Sequence, residues 1–512
     1  MVYGDMDFRV ETDHAVLVRY RGCAQKVHLP HFVEDVPLTE IGPMAFRNGF
    51  LHELYLPDSI LIIGSEAFCG CRNLYYICGD QYAHKEYEVS SFGENLTYIG
   101  DRAFSKTNIK DISFWGETLS FGEQVFNNCR NLRTVLLPHC SKLKIGKELF
   151  ANSGIENFIC PYAHCQLLPE GTFANCRQFR NYRMETEEFE KNAFLDCVAL
   201  QHLDLTGLQR LYMPSFSGCE KLKKLTLPAS LTLCTANAFL GSALARFDID
   251  DENMDFSCHG GILYDKQLRR LIACPPGRTA PVSLPLKVYS ICDRAFYGSS
   301  IEEISMPAVA SIGKEAFFNS SLRFVSLPMQ LKHLGDGAFS NCRQLEIVDL
   351  PKTVHINFEE HFSYTPIRTV FYHGNEQSYR SRVSGILLNE NVSLFLTDAS
   401  GHLYETSQVK KSPLFTYLEY GRHIEILEVS GYLPHIDVPD FINGKPVTVL
   451  LPHAVSIATE VLILPETMKT VKAGALNDAT SLRILSLESD TVVEENTIPQ
   501  ACQTFYRRTS NN

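Results

Sequence analysis

Ile99 to Phe104 reads IGDRAF, and this stretch decides the fold because it is written again and again. It stands at Ile41 to Phe46 (IGPMAF), Ile63 to Phe68 (IGSEAF), Ile291 to Phe296 (ICDRAF) and Ile312 to Phe317 (IGKEAF). Looser copies end at Phe126, Phe150, Phe173, Phe194, Phe216, Phe239, Phe339 and Phe362, the last with one residue inserted. That makes thirteen copies, 21 to 24 residues apart wherever they are adjacent, and fainter ones end at Val455 and Leu476. A fixed period of this length marks a stacked repeat array.

Each Phe is followed by a second element of the form L-x-x-L-x-L-P. Examples are Leu132 to Pro138 (LRTVLLP) and Leu345 to Pro351 (LEIVDLP). Its apolar and polar residues alternate, as in a short strand with one buried face. The Pro lacks an amide donor and closes the strand. The Ile-Gly half is too short for a full helix and reads as a turn or a single helical turn. It would drop Ile, Ala and Phe into the interior.

One strand and one compact return per repeat is the unit of a leucine-rich-repeat solenoid. The expected fold is therefore an α/β-type repeat protein with short strands. It is a right-handed solenoid with a parallel sheet on one face, capped by small β units. A single repeat cannot bury its apolar side. Stacked repeats share a core with a Phe spine and a Leu spine, each buried large side chain contributing roughly 1.5–3 kcal/mol.

The sequence resembles the BspA-type leucine-rich-repeat family. The resemblance rests on Ile-Gly-x-x-Ala-Phe, the small-Cys-x-x-Leu turn and the Leu-x-Leu-Pro strand end. It covers about 41–372 and, more faintly, 447–500. Gly260 to Lys266 (GGILYDK), followed by Leu271 to Gly277 (LIACPPG), resembles the family's inserted hairpin. The resemblance implies a non-enzymatic interaction scaffold, often a surface protein that binds host or matrix proteins or other cells.

Two segments match at an offset of 409: Pro30 with Pro439, Phe32 with Phe441, Pro37 with Pro446, Thr39 with Thr448, and Gly22 with Gly431. Each precedes a repeat series and reads as an N-terminal cap. The expected layout is a cap unit at 1–40 and the main array at 41–375, with the hairpin near 252–285. A connector at 376–412, a second cap-like unit at 413–449, a short second array at 450–505 and a polar tail at 506–512 follow.

The net charge of -12 argues against nucleic acid as the main partner and against an anionic membrane surface. No apolar run is long enough to insert in a membrane. The N-terminus, MVYGDMDFRVETDH, lacks the basic and apolar regions of a signal peptide. An odd count of 17 cysteines fits a reducing compartment. The expectation is a cytoplasmic protein, with the cell surface as the location the family resemblance suggests.

Cys71, Cys129, Cys176, Cys197, Cys219 and Cys342 all stand three residues after the repeat Phe. In these six copies the next apolar residue is six after the Phe; in the other seven it is five, and the third position is Gly, Ser or Thr. Cys thus accompanies a turn lengthened by one residue, and its expected role is to fill a small pocket. His139-Cys140, Cys160 and His164-Cys165 could in principle supply zinc ligands, but their spacing matches no finger pattern. Cys258-His259-Gly260-Gly261 could suggest an activated thiol, yet it opens the hairpin. Glu302-Glu303 and Glu359-Glu360 read as solvated pairs. No catalytic fingerprint is present, and no cofactor is expected.

The outward x positions of the L-x-x-L-x-L strands are the candidate binding face. They include His52, Glu53, Tyr55, Tyr75, Tyr76, Arg133, Leu136, Arg180, Arg183, Lys223, Lys224, Arg323, Phe324, Ile347 and Phe371. Tyr, Phe and Arg are what interface hot spots favour. The first reading is a scaffold that binds a protein through this face. The alternatives are an exported adhesin for matrix or glycan and, last, a thiol- or metal-dependent enzyme.

Overall fold

The alternating Leu positions do form strands, and the strands of successive repeats pair in parallel. The computed structural model describes residues 2–79, 89–384, 392–397, 403–405, 409–411, 414–429, 434–452, 454–456, 458–494, 497–499 and 502–507. Contacts divide the chain into two units, Met1–Leu322 with His333–Arg343, and Arg323–Lys332 with Gln344–Asn512.

In the first unit, nine L-x-L strands form one sheet, from Lys26–His28 through Glu53–Leu56, Tyr76–Gly79 and Thr134–Leu136 to His202–Leu203. Burial alternates along Glu53–Leu56, with Leu54 and Leu56 inside. A second parallel sheet runs beside it, which the reading of one sheet did not include. Its strands are two to six residues long, and those of the repeats include the Ile of the Ile-Gly motif or its counterpart, as in Ile62–Ile63, Tyr98–Ile99 and Thr118–Phe121. The glycine that follows is required by close approach. A Cβ on Gly100 would lie 2.5 Å from the Ser65 amide nitrogen of the repeat before.

The Ala-Phe half is a turn with two left-handed residues, two before and two after the Phe. They are Arg102 (φ 55) and Lys106 (φ 62) around Phe104, and Gln124 (φ 57) and Asn128 (φ 60) around Phe126. Left-handed backbone is costly for residues other than Gly and Asn. A third line of pairing holds it in place. The amides of Arg102, Phe104 and Lys106 donate to the carbonyls of Glu123, Val125 and Asn127 at 2.8, 3.0 and 3.0 Å. Inside, the Phe rings stack. Phe46, Phe68, Phe104, Phe126 and Phe150 follow one another at centroid spacings of 5.2, 5.2, 5.5 and 5.6 Å, all buried. The stack runs to Phe239, then tilts onto Phe247, and resumes at Phe296 with Phe317 and Phe339. Between the two runs sits the hairpin. It is a three-stranded antiparallel meander of Phe256–His259, Ile262–Asp265 and Arg270–Ala273, and its last strand rejoins the array in parallel with Ser290–Ile291.

The second unit continues the same chemistry. Phe324–Ser326, Ile347–Leu350, Thr369–Tyr372 and Ser393–Thr397 pair in parallel. The segment read as a connector therefore contributes a ladder strand. The copy with the inserted residue becomes a one-turn helix, Phe358–His361, capped by the Asn357 side chain.

Five elements recur at the offset of 409. Met6–Val10, Ala15–Tyr20, Lys26–His28, Phe32–Val33 and Val36–Ile41 have counterparts at Phe415–Glu419, Ile424–Val429, His435–Asp437, Phe441–Ile442 and Lys445–Leu450. In both sets an antiparallel pair turns into parallel pairing at its second strand. Gly431 and tail residues 508–512 lie outside the described residues.

Candidate functional site

The strand register brings five of the candidate face residues together in the first unit. Glu53 lies opposite Lys26 on one side and Tyr76 on the other, while Tyr55 lies opposite His28. The His28 and Tyr55 rings stack at 4.3 Å, and Tyr76 follows 6.0 Å from Tyr55. His52 and Tyr75 meet at 6.1 Å. Glu53 accepts from the hydroxyls of Tyr55 at 3.0 Å and Tyr75 at 2.9 Å, and pairs with Lys26 at 3.3 Å. Partial burial pushes the Glu53 carboxyl up, but the two hydroxyls and the Lys26 ammonium bring it below its ordinary value. The Lys26 nitrogen also sits 4.7 Å from the centre of the Tyr55 ring. The polar groups at the middle of this cluster satisfy one another, and the rings remain partly open to solvent.

Lys26 and His28 were not among the residues read from the sequence. Their strand precedes the first Ile-Gly copy, and its VHLP ending, the same L-x-L-P signature one repeat early, was the available signal.

The other candidates lie further along. Three strands beyond Tyr76–Gly79, Arg133 is exposed, 4.0 Å from Glu156, and Leu136 faces Ile159. Arg180, Arg183 and Lys223 are exposed. Lys224 pairs with Asp248 at 2.6 Å, and Arg246 takes the same carboxylate at 2.8 Å. These strands and the hairpin's Cys258 and Gly260 line a cavity of about 800 Å³. Arg323, Phe324, Ile347 and Phe371 lie in the second unit. There Phe324 stands opposite Ile347, and Phe371 packs 4.9 Å from Phe395.

The six repeat cysteines are buried, and volume is only part of the reason. Each thiol donates to the carbonyl of the preceding repeat's Phe. Cys71 bonds Phe46 at 2.9 Å, Cys129 bonds Phe104 at 3.0 Å, and Cys176, Cys197, Cys219 and Cys342 do likewise at 3.0 to 3.1 Å. Burial pushes the Cys129 thiol up to about 11 and that of Cys71 to about 12, opposite to what a reactive thiolate needs.

The residues weighed for metal are otherwise engaged. His139 rests against Trp115 and His164 pairs with Glu187 at 3.4 Å. Cys140 and Cys160 are buried, and Cys165 donates to the Leu167 carbonyl at 2.9 Å. Cys258 donates to the Phe247 carbonyl at 3.0 Å, and burial raises its pKa as well. Gly260 and Gly261, both left-handed, form the tight turn of the hairpin.

The family described as BspA type Leucine rich repeat region matches residues 39–180, 143–259 and 279–383. This chain belongs to the BspA-type leucine-rich-repeat family. Members of the family are typically protein-interaction or surface-associated proteins. Comparison with curated proteins finds none that matches. Among solved structures, the chain is similar to a leucine rich cell surface protein from Faecalibacterium prausnitzii. Identity there is 20%, over 76% of this chain and 98% of that one, with a TM-score of 0.37. It is also similar to the pneumococcal vaccine antigen PcpA at 16% identity, over 78% and 93% of the two chains, with a TM-score of 0.36. A leucine rich repeat protein of T. pallidum is similar at 22% identity over 43% and 90%, with a TM-score of 0.29.

Proposed function

We propose that this BspA-type chain is a non-enzymatic scaffold that binds a protein partner through the outward face of its L-x-L strands. The observation that carries the reading is the ring cluster of His28, Tyr55 and Tyr76, braced by Lys26 and Glu53. Rings held on a rigid sheet lose little freedom on binding, and aromatic anchors dominate protein interfaces. No helix among the described residues is long and apolar enough to cross a membrane. A cytoplasmic setting is part of the proposal. All seventeen cysteines are free, and the six repeat cysteines serve as thiol donors, which a reducing compartment preserves.

Affinity capture from the native cell tests the face. A Tyr55→Asp/Tyr75→Asp variant should lose its principal partner, with affinity weakened on the order of 30-fold as for a hot spot. Phe371→Asp examines the second unit's share. A captured set identical for wild type and both variants would sink the proposal.

A further inference from the structure

The inserted hairpin has a second turn, and it carries a charge pattern unlike the acidic chain around it. Asp265 to Arg270 links its last two strands, with Leu268 left-handed at φ 57. Asp265 accepts from the amides of Arg269 and Arg270 at 2.7 and 3.1 Å. The turn's own carboxylate is thus engaged with backbone, and it fixes where the cations stand.

Beside this turn lies a cavity of about 580 Å³, lined by Lys266, Gln267, Leu268, Arg269, Lys287 and Tyr289. Every charged side chain in that lining is a cation. Among the described residues, Arg269 and Lys287 make no ion pair, while the Lys266 ammonium is held by the Asn253 carbonyl. Tyr289 is 47% exposed and Leu286 78% exposed, so apolar surface stands at the cations' side. The site lies on the Ile-Gly ladder, where Arg270 stands opposite Ser290, and not on the L-x-L face.

We propose that this turn is a second docking site, and that its occupant is a short acidic segment of a protein partner. Arg269 can take a carboxylate through its planar fork, and Lys266 and Lys287 add point charges. Tyr289 and Leu286 offer contact to an apolar neighbour in the segment. The chain's net charge of -12 selects against a long polyanion, which would leave this patch and meet repelling surface. A short segment meets only the cations.

Fluorescence anisotropy with a labelled Asp- and Glu-rich peptide, on the full chain, tests this. A Lys266→Glu/Arg269→Glu/Lys287→Glu variant should weaken binding by about tenfold or more at about 50 mM salt. Arg269→Ala/Lys287→Ala, a milder change, should weaken it by a smaller factor with the melting temperature unmoved. Lys142→Glu/Lys144→Glu, on an exposed strand of the same ladder, should leave binding unchanged. The proposal is overturned by absence of peptide binding, by equal loss in the control variant, or by retention of binding in the triple variant. Single-stranded DNA binding the same turn more tightly than the peptide would overturn it too.

Discussion

The turn that follows Phe104 and the turn that follows Phe126 are neighbours in one array and close differently. After Phe104 the next core residue, Ile109, comes five positions on, and Thr107 bends back to its own Phe carbonyl at 2.8 Å. After Phe126 it comes six positions on, and Cys129 reaches across to that same Phe104 carbonyl at 3.0 Å. The short turn is stitched to itself; the long turn is stitched to the repeat before it. The two donors then meet, Thr107 Oγ1 lying 3.4 Å from Cys129 Sγ, and Ser153 with Cys176 and Ser320 with Cys342 repeat the contact. One inserted residue converts a closure within a repeat into a bond between repeats. At Ser242 and Ser299, short turns with no Cys turn after them, the buried hydroxyl finds no partner among the described residues.

Both turn types depend on the ring stack, so the largest effect comes from removing a ring they share. Phe126→Ala should cost about 3–5 kcal/mol in chemical denaturation, because Phe104 and Phe150 are both left with a cavity. A loss below about 1 kcal/mol would mean that the array closes up freely around the gap.

Next is the thiol. Cys129→Ala should cost about 1–2 kcal/mol, and Cys129→Ser less, since the hydroxyl keeps a donor for Phe104. Equal costs would return the cysteine to a volume role alone. Asn128→Ala should cost about 1 kcal/mol and Asn128→Gly almost nothing, because the position is left-handed in both turn types. Smallest in energy, yet sharp in readout, is thiol labelling. Exposed Cys23 should react at once near neutral pH, while Cys129, buried and raised to about 11, should react only as the array opens.

Much of this architecture was legible because a solenoid writes its core at the same positions in every turn. Phe104, Phe126 and Phe150 announce the stack by recurrence alone. The second sheet was not legible, since Tyr98–Ile99 is too short to show alternation. Its existence is decided by the neighbouring turn. The bond from Cys129 to Phe104 was hidden for the same reason: it joins residues 25 apart, and only the lengthened turn hinted at it. Of the candidate face, the strand pattern gave Tyr55 and Tyr76 directly. It could not show that Lys26 and His28, in a strand ahead of the first Ile-Gly copy, complete their cluster. Nor could it show that Phe324 and Phe371 fall in a different unit from Tyr55.

The break in the ring stack at the hairpin has a mechanical meaning. Each repeat is stabilised by its neighbours, so order spreads along the rings like a closing zipper. From Phe46 to Phe239 nothing interrupts that spread, but the next ring in line, Phe296, is reached only past the meander. The Arg294 guanidinium, 3.1 Å from Asn237 Oδ1, is a strut across the gap. A chain pulled from one end, or cut by a protease within the array, should come apart up to this joint and pause there. The hairpin then acts as a firebreak for the eight turns of rings that precede Phe239.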